Sequence, residues 1–433
     1  MVLQSLHRRG FFHLLSANFL TQFLGFGTML LVAKFLRPSE LGDIKILQSW
    51  ATLFTIAAGF GLNTAVLKFC AENRPEAERV DIVRRALRMA GWTTLACLTV
   101  VGALAGAGVL VSSKRLAAWL VVYSAVIPFG VVTAILIVYL QALQRIRAMA
   151  RAQIVIKLQS FVLIAATTWY WGFAGFITAT IVAYAAGLVP LVREAGRGIL
   201  RPAGGTTLPA TFVHVAWFSM LANGVSTLGQ NADMYLLDRL VTDRAGIGYY
   251  ALATILVFAA SQVTATMQTI VTPEFSQRAQ DETWVRRQLV RVQWRMVGLS
   301  ILVAAAVWVA ASVLVPAVYG PMYRPTLGYL ALLLLRFVLW SSYAIVGAVL
   351  VALGLMRYNF LVVAVSTPIG LALTYFLIRH FGITGAAWGQ IATQVVNLVL
   401  VLAGLPLVLR QAYPRRTTPP EVAGGVASEL QAN

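Results

Sequence analysis

The sequence predicts an all-α integral membrane protein with about twelve transmembrane helices, arranged as two six-helix bundles related by a parallel pseudo-two-fold repeat. Three observations carry that expectation. The 433-residue chain is 59% hydrophobic and only 11% charged, with a mean hydropathy of +0.78, whereas a water-facing surface needs roughly a quarter charged residues. Its apolar runs are continuous over about 20 residues, the length of a membrane-crossing helix, where barrel strands would be about ten and alternating. Finally, short segments of the first half recur in the same order in the second.

Sorting the runs by length places spans near 11–33, 44–68, 90–112, 116–142, 153–171, 173–192, 211–237, 247–270, 296–318, 326–353, 358–379 and 384–409. The first follows HRRG like a leader, but it is long, dotted with polar residues and lacks an A-x-A site, so it reads as a helix that stays. Putting the N-terminus in the cytoplasm assigns 24 of the 34 basic residues, Lys157 among them, to the inside and 9, including Lys34 and Lys45, to the outside. That is the positive-inside pattern. Arg336 alone is left over. An even number of spans returns the C-terminus to the cytoplasm, and the Pro, Gly and Ala-rich tail after Arg410 is expected to be disordered.

The net charge of +19 would suggest nucleic acid in a soluble protein; loops facing an anionic membrane explain it here, and no nucleic-acid partner is expected. Cys70 and Cys97 sit in or beside apolar runs without metal or redox spacing and read as packing residues. His7, His13, His214 and His380 are scattered, so no metal is implied. The Gly25/Gly27 and Gly59/Gly61 pairs suit helix bending or close packing. No GxxxxGK[ST] occurs, and no cofactor or ATP chemistry is expected.

VAKFLRPSELG pairs with LDRLVTDRAGIG, VRRALR with VRRQLVR, QALQRIR with VALGLMR, and WGFAG with FGITG, at offsets of 202 to 210 residues. The pairing predicts an N-terminal bundle over 1–192, a cytoplasmic linker over 193–210, a C-terminal bundle over 211–409 and a tail over 410–433. Six spans per half preserve orientation, so the pseudo-axis runs along the membrane normal, as in transporters. Val80, Val83 and Leu87, like Val285, Leu289 and Val292, are spaced for one helical face with arginines between. Both segments are expected as interfacial helices lying on anionic lipid headgroups; the alternative is a solvated loop helix.

AKFLRPSELGDIKIL followed by AAGFGLNTAVLKF resembles the start of bacterial polysaccharide transporters of the O-antigen-flippase type. TPEFSQRAQ, VYGPMYRP and FGITGAAWGQIATQ resemble the same family's later signatures, so the likeness covers nearly all of residues 11 to 409. It implies the fold of the multidrug/oligosaccharidyl-lipid/polysaccharide (MOP) exporters, two bundles facing each other as a V, with helices 1, 2, 7 and 8 bordering a cavity. It also implies a bacterial inner membrane, a polyprenyl-diphosphate-linked oligosaccharide as cargo, and glycan polymerase machinery as a further partner.

Polar residues fall in stripes on those helices: Asn18 and Gln22 with Gly25; Lys45, Gln48, Thr52 and Thr55; Asn223, Ser226, Gln230 and Asp233; Ser261, Thr264 and Gln268. Each set lies on one helical face, and lipid satisfies none of them, so they face protein or water. Gln390, Gln394 and Asn397 form a fifth stripe with no assigned role. Arg336, within LLLLRFVLW, is costly in lipid but matches a diphosphate bidentately and keeps its charge, with Lys34 and Lys45 extending the attraction. Its other reading is as partner of an intramembrane carboxylate or as a snorkelling side chain. Its repeat counterpart is Val126, so the scaffold does not demand a charge there. Asp233 is the best intramembrane acid, either for H⁺ or Na⁺ coupling or as counter-ion to Arg239 or Arg336. The competing functions are a cation-coupled multidrug exporter of the same fold and an integral-membrane glycan polymerase or glycosyltransferase. An enzyme would need larger outer loops than SSKR or YGPMYRP, so none is expected.

Overall fold

The computed structural model describes residues 11–200, 208–353 and 356–413, with side chains before residue 20 not among those described. The expected tail beyond 413, the middle of the linker and the side chain of Asn18 lie outside the described residues. Every α-helix and 3₁₀ turn among them belongs to one order, with no strand: α1 (Phe11–Phe35), α2 (Pro38–Gly59), α3 (Leu62–Ala71), α4 (Glu76–Gly106), α5 (Lys114–Tyr123), α6 (Val126–Ala142), α7 (Ile146–Ala195), α8 (Phe212–Gln230), α9 (Ala232–Leu240), α10 (Arg244–Gln277), α11 (Glu282–Tyr319), α12 (Thr326–Ala352) and α13 (Met356–Ala412). Seven helical stretches are long and apolar enough to cross a membrane, and α2 with α3 makes an eighth, bent by 48°. The chain is a multi-pass membrane protein.

The membrane-crossing stretches are fewer than the expected spans in part because α7 and α13 each cover two of them. At 1.5 Å per residue, the 50 residues of α7 would reach about 75 Å, more than twice the ~30 Å hydrocarbon core. The helix breaks at Gly172 (φ 57°, ψ −134°). The break in α13 is at Gly382 (φ 59°, ψ −134°). These angles suit glycine alone. Three residues on, a Cβ at Gly175 would collide with the Thr167 carbonyl, and one at Gly385 with the Leu377 carbonyl. Each G-x-x-G therefore makes a loopless reversal, the first glycine supplying the turn and the second letting the two arms touch. The two breaks are 210 residues apart, the offset of WGFAG and FGITG. Trp169, Tyr170 and Trp171, all exposed, ring the first break, as interfacial aromatics do.

Other boundaries follow local chemistry. Pro38 opens α2, where its missing N–H costs nothing, and the Arg37 N–H donates to Glu40 Oε2 at 3.0 Å. Phe60 (φ 47°) and Gly61 (φ 66°) stop it and start α3. Ser113, Asp243 and Asp281 cap α5, α10 and α11 by accepting the N–H of Leu116, Gly246 and Trp284 at 3.1, 2.9 and 2.9 Å.

The segments around VRRALR and VRRQLVR differ from expectation. They are not separate helices on the surface but the first turns of α4 and α11, which run on unbroken into the membrane-crossing stretches. Nothing between Arg88 and Trp92, or between Arg291 and Trp294, stops a helix. Val83, Val285 and Leu289, expected against lipid, are buried in protein.

The packing is a V. At one end, residues of both halves share a single core, with Leu41, Ile44 and Leu47 of α2 against Ile247, Tyr250 and Ala251 of α10. At the other, basic end, which carries Arg84 to Arg88 and Arg286 to Arg295, the packing divides into two clusters. One gathers α3, α4 and α6 with Phe212 and Ala216 of α8; the other gathers α10, α11 and α12 around Phe275, Val285 and Ile345.

Candidate functional site

Between the halves lies a cavity of about 1010 Å³, lined by α1, α8, α9, α10, α12 and α13, with Lys45 reaching in from α2 and Lys157 from α7. That is the upper end of the range for small-molecule sites. Its ionisable lining is Lys45, Lys157 and Arg336 against a single carboxylate, Asp233. Amides and hydroxyls supply the rest of the polar surface, among them Gln22, Gln230, Gln268, Gln390, Gln394 and Asn397.

Arg336 sits ten residues into α12 and turns toward this cavity. Its Nε is buried without a hydrogen-bond partner, and it makes no ion pair among the described residues. A guanidinium left this way is a donor in waiting, because a buried unmet donor costs ~1–3 kcal/mol or more when charged. Asp233, only 4% exposed, is held differently: Tyr250 Oη donates to its Oδ2 at 2.6 Å and the Met234 N–H to its Oδ1 at 2.9 Å. It pairs with neither Arg239 nor Arg336. Arg239 instead donates to the Gly108 and Val109 carbonyls, and Lys45 shares the cavity lining with Asp233. Neighbouring polar groups are tied down: Gln268 donates to the Ala344 carbonyl at 2.7 Å, Gln230 to Ser226 Oγ at 3.0 Å, and Tyr343 to Gln394 Oε1.

The structure thus brings Gln22, Lys45, Gln230, Asp233, Gln268 and Arg336 together. It does not bring in Lys34, which is exposed on the last turn of α1. Gln48 touches Met29 Sδ at 3.8 Å instead, and Asn223 is exposed and donates to Ser219 at 3.2 Å; neither lines the cavity. Two contributions were missed. Lys157, which charge counting assigns to the cytoplasmic side, lies well inside α7; its position within the expected span 153–171 is the available signal. The stripe on α13 had no assigned role because family expectation looked to helices 1, 2, 7 and 8.

Both ends of the α2–α3 pair press against the other half. At the far end a Cβ on Gly248 of α10 would overlap the Pro38 carbonyl, and polar groups join the halves. Asp238, 1% exposed, accepts the Ser112 N–H at 3.0 Å, Ser112 Oγ at 3.0 Å and Arg244 Nη1 at 2.7 Å. Arg244 also lies 3.7 Å from Asp43. Nearby, Tyr235 Oη donates to the Ser49 carbonyl at 2.9 Å, and Tyr323 Oη lies within hydrogen-bond reach of the Ala33 and Leu36 carbonyls at 3.2 and 3.1 Å. At the basic end Phe60 packs on Trp217 and Phe69 on Phe212, with ring centroids 5.5 and 5.6 Å apart. Thr64 and Ser219 hydroxyls meet at 2.6 Å, and a Cβ on Gly61 would strike the Ala216 carbonyl.

Comparison with known proteins places this geometry. The profile of a family described as polysaccharide biosynthesis protein matches residues 7–279. Among curated proteins, sequence comparison finds no match. Solved structures with the same fold include the lipid II flippase MurJ in an inward closed conformation, 13% identical, with a TM-score of 0.74 over 91% of this chain and 87% of that one. An inward-facing multidrug resistance MATE transporter of the MOP superfamily is 12% identical, with a TM-score of 0.75 over 90% and 95% of the two chains. A MOP superfamily transporter from Pyrococcus furiosus, described by the reversed polarity of its binding pocket, is 13% identical, with a TM-score of 0.64 over 93% and 94%.

Proposed function

The chain belongs to the polysaccharide biosynthesis protein family, and from that premise we propose that it is a flippase for a polyprenyl-diphosphate-linked oligosaccharide. The cargo passes from the cytoplasmic to the periplasmic leaflet of a bacterial inner membrane, for cell-surface polysaccharide such as O-antigen. The basic end faces the cytoplasm by the positive-inside pattern. One observation carries this reading: three cations from three helices converge on one cavity that holds a single carboxylate.

A diphosphate entering such a cavity loses much of its hydration. Cations in a medium of low effective dielectric offset that loss far better than they would in water. Arg336 is the anchor, since its free guanidinium offers paired N–H donors to phosphate oxygens. Lys45 and Lys157 add charge to the same cavity, and Gln22, Gln230 and Gln268 supply hydrogen-bonding edges for sugar hydroxyls. The lipid tail stays in the bilayer while the polar head crosses, with the far-end and basic-end contacts opening in alternation. Asp233 is where H⁺ or Na⁺ would couple to that cycle. Lys34, away from the cavity, has no part in it.

The test is transport of a lipid-linked oligosaccharide in proteoliposomes. Arg336→Gln abolishes transport while the protein still inserts and elutes as the wild type does. Full transport by that variant overturns the reading. A cation-coupled drug exporter, the alternative that Asp233 favours, would instead move a cationic dye, and Arg336→Gln would leave or improve that activity.

A further inference from the structure

The face of α11 that looks away from the protein carries a basic row that plays no part in the cavity. Arg287, Arg291 and Arg295 recur at every fourth residue, and all three are exposed. They cover about 12 Å of helix at 1.5 Å per residue. Trp294 lies among them on the same face and is 71% exposed. Past Arg295 the face continues as Ile301, Leu302 and Val309, also exposed, a surface fit only for acyl chains. Where apolar side chains give way to arginine and tryptophan on one continuous face, the chains of the bilayer give way to headgroups.

These arginines are free to bind. The ion pair on this segment joins Arg286 to Glu282 at 2.8 Å. Arg287, Arg291 and Arg295 have no carboxylate within 4 Å among the described residues, and Arg291 makes only a 3.5 Å contact with Gln288 Oε1. The matching segment of the first half is used otherwise. At the offset of 202, Arg84, Arg85 and Trp92 stand where Arg286, Arg287 and Trp294 do. Trp92 is again exposed, at 69%. Arg84, however, is turned inward: it donates to the Gly198 carbonyl through Nε at 3.1 Å and Nη2 at 2.8 Å and lies 3.5 Å from Asp81. The repeat has kept the tryptophan that marks the interface in both halves. Only the second half keeps a row of unspent cations beside it.

We propose that α11 seats the headgroup of an acidic phospholipid from the basic-end leaflet, with its phosphate among Arg287, Arg291 and Arg295 and Trp294 at the level of the glycerol esters. Guanidinium groups suit phosphate oxygens, and arginines at a membrane surface are drawn to anionic lipid. The seat is independent of whatever passes through the cavity.

The protein is reconstituted in nanodiscs containing equal phosphatidylglycerol and phosphatidylcholine, released into detergent, and its retained lipid counted by native mass spectrometry. Wild type retains phosphatidylglycerol over phosphatidylcholine by roughly tenfold or more, the effect expected of several arginines at an anionic surface. The R287Q/R291Q/R295Q variant loses the preference, the corresponding triple-lysine variant keeps most of it, and Arg88→Gln in the first half leaves it unchanged. An unchanged preference in the triple-glutamine variant, or none in wild type, overturns the proposal. So does displacement of the retained lipid by an equal amount of farnesyl diphosphate, which would assign the row to a diphosphate lipid instead.

Discussion

Removing the carboxylate at position 238 opens the far end of the molecule. Asp238 accepts two bonds from Ser112, at 3.0 Å each, that cross from one half to the other, and one from Arg244 of its own half at 2.7 Å. A hydrogen bond to a charged acceptor contributes ~1.5–3 kcal/mol. Ser112 is exposed, so the lower part of that range applies to each of its two bonds. Asp238→Ala therefore costs the closed state about 3 kcal/mol, a shift of roughly 100-fold in the opening equilibrium. Asp238→Asn keeps one uncharged oxygen for Ser112, and shifts it by about tenfold. The readout is a cysteine in place of Val111, a residue 2% exposed within the shared core, labelled by a membrane-impermeant maleimide. Labelling slower than reclosing reports the open population. Labelling rates within twofold of one another in the wild-type, Asp238→Asn and Asp238→Ala backgrounds would refute the argument that this network holds the halves together.

Two further outcomes follow from the same geometry. Gly175→Ala and Gly385→Ala each force a methyl group onto the carbonyl of the facing arm, an overpacking of about 1–3 kcal/mol; thermal unfolding in detergent drops by similar amounts for both, and a drop in only one breaks the equivalence of the two reversals. Lys157→Gln weakens binding of farnesyl diphosphate by about tenfold, the worth of one hydrogen bond to a charged group, whereas Lys34→Gln leaves it unchanged; titration by intrinsic tryptophan fluorescence distinguishes them, and equal losses would refute the placement of Lys157 over Lys34.

Much of the fold was legible because apolar length and glycine spacing are direct physical signals. WGFAG and FGITG could be aligned by eye, and the structure gives both glycines the same backbone angles. Periodicity is a weaker guide to the site. It predicts that Asn223 and Gln230 share a face with Asp233, yet a face is wide: Gln230 and Asp233 line the cavity, while Asn223, two turns before Gln230, does not. Gln48 and Lys45 likewise share a face of α2, but only the longer lysine reaches the cavity. Charge counting by loops misplaced Lys157 because it treats a residue near the end of an expected span as though it lay outside, whereas the helix begins at Ile146, about three turns earlier. The interfacial reading of VRRALR failed for a different reason: an apolar stripe shows that a face is buried but not whether protein or lipid buries it.

The bend at Phe60 and Gly61 has a mechanical consequence. The α2–α3 segment closes against the other half at both ends, through different side chains. A single stiff rod would lift both seals together and leave a leak straight through the membrane. A joint at the inner edge of the basic-end seal lets one seal release while the other stays shut, which is what any carrier must do to avoid becoming a channel.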